Sequence, residues 1–303
     1  MANVLKQERQ LQVLNLLAEG SSIRSAERIT GVHRDTICRL AVRFGDKCRD
    51  FLDARMHNLT LGHIEVDEQW TYVAKKQARL TTTEREEKGN IGDVYLWIGV
   101  DQDTKLVPTF CLGKRSADMA RRFMMDLARR MTFPKPHDSD SHAFERRTFK
   151  PVCQLSTDAF PAYPEAVDLA FGPYVKFGTI TKEYRNRNLP GYYSPAEMAA
   201  TARRGVWGIG GDEESTICTS HVERLNCTTR IFMKRFNRLT LCFSKKLENL
   251  AAATAMYVAY YNYCWRTRKP GTTGMRRPTA AHAAGLADHT WSFAELFEAV
   301  NAN

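Results

Sequence analysis

The run Ile64-Glu65-Val66-Asp67-Glu68-Gln69-Trp70-Thr71-Tyr72-Val73 constrains the fold more than any other part of the sequence. Its β-branched and aromatic residues predict a strand, yet it places three carboxylates within four residues. Alternation puts Glu65, Asp67 and Gln69 on one face and Val66, Glu68 and Trp70 on the other. A charge taken into a sheet is costly unless something pairs with it, and a metal ion is one such partner. Asp67 is therefore a candidate divalent-metal ligand, provided that acids from elsewhere in the chain converge on it. The competing reading is an exposed edge strand whose acids are solvated.

With 303 residues the chain is long enough for two domains, or for one large domain with an appendage. No apolar run nears the ~20 residues of a spanning helix. The N-terminal MANVLKQERQ lacks a signal-like apolar core. A cytoplasmic, nucleoid-associated protein is expected. Eight cysteines without a CxxC pair do not have zinc-site spacing. The net charge of +10 is concentrated: from Arg224 to Arg277, twelve Lys/Arg stand against one acid, Glu248. Such a stretch suits a polyanionic partner, nucleic acid first, although a solvated helix face is the plainer alternative.

The first 57 residues read as helices: Gln7–Leu17, a second capped by Ser21 or Ser22, a turn at Gly31, and a third over Arg34–Phe44. This is the pattern of a helix-turn-helix DNA-binding domain. His33, Arg34, Thr36 and Arg39, at the start of the third helix, are its candidates for base or phosphate contact. From residue 58 to 265 the character is mixed. A polar hairpin loop over Lys75–Gly92 follows the Asp67 strand. Strands are expected at Val94–Val100, Lys105–Leu112, Val152–Asp158 and Tyr174–Thr181, with helices at Ala117–Met131 and Pro161–Ala170. An apparent insertion at about 182–219 precedes helices over Ser220–Phe236 and Lys245–Tyr261, and 266–303 reads as a basic tail with short helices. The order βββαβαβ(insertion)α predicts an α/β, RNase H-like domain: a mixed five-stranded sheet with flanking helices.

In that order the fourth strand lies beside the first and delivers Asp158 at its carboxyl end, where open sheets commonly place function. An Asx-turn or helix cap is the alternative role for Asp158. Glu223 begins the late helix and leads a stripe with Asn226, Arg230 and Lys234 at helical spacing. A carboxylate followed by cations suits metal and phosphate; a favourable acid at a helix N-terminus is the simpler reading. Carboxylates around paired Mg²⁺ ions are a known route to phosphoryl transfer, and hard oxygen ligands suit that metal. Glu65 and Glu68 are rivals to Asp67, Asp101 and Asp103 read as turn residues, and Glu213 and Glu214 fall in a glycine-rich stretch. His221 is an accessory candidate or a cap. Trp207 is a candidate for stacking on an unpaired base, or for ordinary packing.

Val66-Asp67-Glu68-Gln69-Trp70, Ser156-Thr157-Asp158-Ala159-Phe160-Pro161-Ala162-Tyr163, and His221-Val222-Glu223-Arg224-Leu225-Asn226 continuing through Phe236–Lys245 resemble the three blocks of the insertion sequence 1 family of DDE transposases. The likeness spans about residues 60–262 and is densest in the last block. It implies that Asp67, Asp158 and Glu223 are the catalytic and metal-binding triad, with Mg²⁺ or Mn²⁺ as cofactor. It implies cleavage at terminal inverted repeats and strand transfer into target DNA by a homo-oligomer that pairs two ends of double-stranded DNA. Arg230, Lys234, Arg235, Arg238 and Lys245 are then expected to grip DNA, with Arg224 and Asn226 accessory to the triad. Ala159 replaces the glycine that often follows the second acid in this family.

Overall fold

The computed structural model describes residues 5–87, 90–133, 151–185, 197–237, 239–269 and 271–302. Its strands are β1 (His63–Val73), β2 (Gly92–Asp101), β3 (Phe110–Gly113), β4 (Cys153–Asp158), β5 (Val175–Arg185) and β6 (Glu197–Trp207). They form one mixed sheet in the order β3-β2-β1-β4-β5-β6. β1, β2 and β3 are an antiparallel meander, β4 runs parallel to both β1 and β5, and β6 is antiparallel to β5. The run that opened the sequence analysis is thus an inner strand, not an exposed edge.

The expected count of five strands is corrected to six. The segment read as an insertion from residue 182 first extends β5 to Arg185, then returns as β6. β6 is almost wholly exposed and carries little apolar alternation, so its sequence gives no strand signal. Arg203, Arg204 and two register shifts against β5 suit an outermost strand that must not recruit another chain. Residues 186–196 of that segment, and 134–150 of the Pro/His/Asp-rich loop, lie outside the described residues.

Helices α1 (Gln7–Ala18), α2 (Ile23–Thr30) and α3 (Arg34–Arg55) open the chain. Ser22 caps α2 by accepting from the Ser25 amide, and Gly31 ends it in the left-handed conformation at φ +67°. α3 runs eleven residues beyond the expected end at Phe44. Gly45 does not stop the helix. It is the point where α3 crosses α8 (Leu247–Tyr263) so closely that a Cβ would lie 2.2 Å from the Ala252 carbonyl oxygen. α8 is apolar on nearly all sides and buried from Thr254 to Tyr263, the pattern of an interior helix. The 266–303 segment contributes α9 (Ala280–Ala283) and α10 (Phe293–Ala302), and the Phe297 ring stacks 5.5 Å from that of Phe44. N-terminal helices, sheet and C-terminal helices share one hydrophobic core.

α4 (Thr82–Glu87) falls within the expected Lys75–Gly92 loop. β3 is shorter than the expected Lys105–Leu112 strand. Ahead of it, the Asn262 side-chain amide of α8 brackets Val107, accepting from its N–H and donating to its C=O, each at 3.0 Å. α5 (Ala117–Arg130), capped by Ser116, and α6 (Tyr163–Phe171) cover one sheet face. There Trp97 of β2 meets Phe123 and Tyr163 at 6.2 and 6.0 Å between ring centroids. α7 (Ser220–Phe232) lies against β1 on the opposite face.

Candidate active site

Parallel pairing of β1 with β4 matches Val66 to Thr157, which sets Asp67 beside Asp158 one residue on. Oxygens of Asp67, Glu68 and Asp158 lie within 4.8 Å of one another, a donor set able to hold a cation. Asp67 is fixed by two bonds. Its Oδ1 accepts from the Glu68 amide at 2.9 Å, and its Oδ2 from Asn226 Nδ2 at 2.7 Å. Asp158 Oδ1 accepts from the Phe160 amide at 3.0 Å, so the Asx-turn role is real. Its other oxygen still faces the cluster, and the two roles coexist.

Burial is the main force on the ionisation of Asp67 and Glu68. It pushes Asp67 up to about 6, with the charges of Asp158 and Glu223 adding to the rise. Burial likewise pushes Glu68 up to about 7, although the Tyr163 hydroxyl donates to it. Carboxylates crowded into a poorly solvated site hold their protons until a cation arrives. One is present. The Arg115 guanidinium lies 3.0 Å from Asp158 Oδ2 and 3.4 Å from Glu68 Oε2, with its carbon 4.1 Å over the Phe160 ring. Sequence reasoning missed Arg115, Tyr163 and the weight of Glu68. A single arginine just before a helix cap carries no motif, and Glu68 shares its stretch with two other acids.

Glu223 stands outside this 4.8 Å group. It is exposed in the first turns of α7, paired with Lys182 of β5 and accepting from Thr219 Oγ1 at 2.9 Å. Its charge nonetheless reaches Asp67. The helix that carries it is racked onto β1 by every second side chain. Buried Glu65 accepts from the His221 and Val222 amides at 2.7 and 2.9 Å and meets His221 Nδ1 at 2.6 Å. Gln69 donates to the Asn226 carbonyl at 3.1 Å, and Thr71 to the Arg235 carbonyl at 2.7 Å. Glu65 therefore caps α7 and His221 completes that cap. Cys218 lies near the pair, yet three donors already occupy Glu65.

His33 caps α3, with its ring accepting from the Asp35 amide, while Arg34 and Arg39 are exposed and Thr36 half-buried. Arg224, Lys234 and Lys245 are exposed and Arg230 is half-buried. Arg235 is corrected: it turns inward to donate to Ser244 Oγ at 2.5 Å, and burial lowers its pKa. Arg238 lies outside the described residues. Trp207 takes the packing role of its two readings, its ring 4.9 Å from that of Phe177. Tyr257, Tyr260 and Tyr261 are core. Among the described residues no helix is long and apolar enough to cross a membrane. In comparisons with known proteins, no protein-family model matches the chain and no curated protein matches it.

Proposed function

We propose that this protein is a DNA transposase of the DDE type, an RNase H-like polynucleotidyl transferase that cuts the ends of a mobile element and joins them to target DNA. The observation that carries the reading is the convergence of Asp67, Glu68 and Asp158 where two parallel neighbours of the sheet deliver their acids. The donor set fits a hard divalent cation, being all carboxylate oxygen, crowded and short of counter-charge. Asp67 and Asp158 would hold Mg²⁺ or Mn²⁺, with Glu223 joining from α7. Such ions activate the attacking oxygen and stabilise the leaving one.

The chain's own groups do the rest. Asn226 and the Glu68 amide fix the aim of Asp67. Arg115 pairs with Glu68 and Asp158 when no metal is bound and is placed to meet a scissile phosphate when one is. Exposed Arg224, Lys234 and Lys245 take DNA phosphates near the same helix, and His33, Arg34, Thr36 and Arg39 read the element ends. Joining two ends calls for a homo-oligomer.

The test is a nicking and strand-transfer assay with Mg²⁺ or Mn²⁺ on the DNA that flanks the coding sequence, in which the reading requires terminal inverted repeats. Asp67→Asn, Asp158→Asn and Glu223→Gln should each lose at least about a hundredfold in cleavage while still binding the ends. A variant that cuts at the wild-type rate removes that residue from the triad. Phosphate contacts also require steep salt dependence of end binding; a flat response would count against the basic segment.

A further inference from the structure

A second site lies beyond the His63 end of β1 and the Asp101 end of β2, and it shares no lining residue with the carboxylate cluster. Asp101, the last residue of β2, pairs with Ile64 at the start of β1, and the turn that follows forms one wall of a cavity of about 330 Å³. The other wall is the strap between α8 and α9. Lys105, Lys269, Arg276 and Arg277 line it, together with the aromatic side chains of Tyr261 and Trp265. The lining holds one acid, Asp103. Among the described residues none of the four cations forms an ion pair with a carboxylate.

The cations are built into place. The strap is a hydrogen-bonded hairpin: Lys269 N donates to the Met275 carbonyl at 2.9 Å, and Arg277 N to the Thr267 carbonyl at 2.8 Å. The Arg266 and Arg276 side chains cross-brace it, each donating to backbone carbonyls of the opposite arm. Lys105 is held in the left-handed region at φ +66°, costly for a residue with a β-carbon and a mark of sites where geometry serves a ligand. Its ammonium donates to the Gln102 carbonyl, and burial and the neighbouring Arg277 charge both lower its pKa. The charges of Glu65, Asp101 and Asp103 oppose that lowering only in part, and cations still outnumber acids in the lining by four to one.

We propose that this cavity is a nucleotide-binding site, in which Lys105 and Arg277 take the phosphate and the half-buried Trp265 takes the base. Four cations against one carboxylate call for an anion. The aromatic wall calls for a flat apolar ring attached to it. The volume is at the small end of ligand pockets, roughly 300–1,000 Å³, which suits one nucleotide unit and excludes a duplex. Asp103 is the acceptor available to an amino group of the base. The site stands apart from the carboxylate cluster and holds whether or not that cluster cuts DNA.

The experiment is calorimetric titration of the full-length protein with deoxyadenosine monophosphate, deoxyadenosine and inorganic phosphate, without divalent metal. One monophosphate per chain should bind at least tenfold more tightly than either fragment. The double variant Lys105→Gln, Arg277→Gln should lose at least tenfold for the monophosphate and leave deoxyadenosine unchanged. Lys269→Gln, at an exposed strap position, should weaken the monophosphate severalfold and serves if the double variant does not fold. Asp67→Asn, whose site is elsewhere, should bind the monophosphate as wild type. No saturable binding, phosphate binding as tightly as the monophosphate (an adventitious ion only), or unchanged affinity in the cation variants would each overturn the assignment.

Discussion

Arg115 Nη2 lies 3.0 Å from Asp158 Oδ2, so a protein cation already sits among the acids best able to hold a metal. Its removal has two separable effects. Arg115→Gln leaves the metal-free acids without their neighbouring charge, which should cost about 1 kcal/mol after allowance for its partial exposure. The same change removes a competitor, so Mn²⁺ should bind severalfold more tightly. Thermal unfolding and Mn²⁺ titration by electron paramagnetic resonance read the two effects. Unchanged Mn²⁺ affinity would mean that Arg115 does not compete for the site.

The raised pKa values set a pH dependence whose sign follows from linkage. Asp67 at about 6 and Glu68 at about 7 hold protons more tightly folded than unfolded. Their contribution to stability is full below their ordinary values near pH 4 and is lost as pH rises through 6 and 7. Metal-free wild type should therefore weaken over that window relative to Asp67→Asn and Glu68→Gln, by an amount on the order of 2 kcal/mol. Denaturant melts from pH 4 to 8 measure the difference. Parallel curves for all three proteins would show that the acids titrate as ordinary carboxylates. Metal affinity should rise through the same window, because binding displaces the protons.

Glu65 is predicted to be structural rather than catalytic. Glu65→Ala strips acceptors from two helix amides and from His221, at a cost of about 2–4 kcal/mol in unfolding free energy. Glu65→Gln keeps one carbonyl for the amides and should lose less. A loss below about 0.5 kcal/mol for the alanine variant would show that α7 does not depend on this cap.

The crossing of α3 and α8 gives a fourth test. Gly45→Ala raises helix propensity and would stabilise an isolated helix by up to about 1 kcal/mol. Here the added carbon meets the Ala252 carbonyl, and overpacking should instead destabilise by roughly 1–3 kcal/mol. A more stable Gly45→Ala protein would mean that the two helices are free to separate.

The order of strands and helices was legible because β1, β2 and β4 are inner strands whose residue types announce burial. Asp67 and Asp158 could be paired from that order, since parallel neighbours bring their ends together. β6 was not legible, because Glu197-Met198-Ala199-Ala200-Thr201-Ala202-Arg203-Arg204 at an exposed edge has no face to bury. Nor was Arg115, whose role comes from two acids distant in the chain: its partners Glu68 and Asp158 are 47 and 43 positions away. The expected end of the third helix at Phe44 fell eleven residues short, one residue before Gly45. A glycine in a helical run reads as a stop, and only the presence of α8 against it explains why the helix continues.

The rack of β1 side chains that holds α7 joins residues far apart in order of synthesis, with Glu65 and Val222 separated by 157 positions. A chain released before residue 220 has its sheet acids but neither the amides that receive Glu65 nor the Asn226 side chain that holds Asp67 Oδ2. Assembly of the site thus waits on the last third of translation. An incomplete product carries the two aspartates without the helix that holds one of them, Asp67, through Asn226.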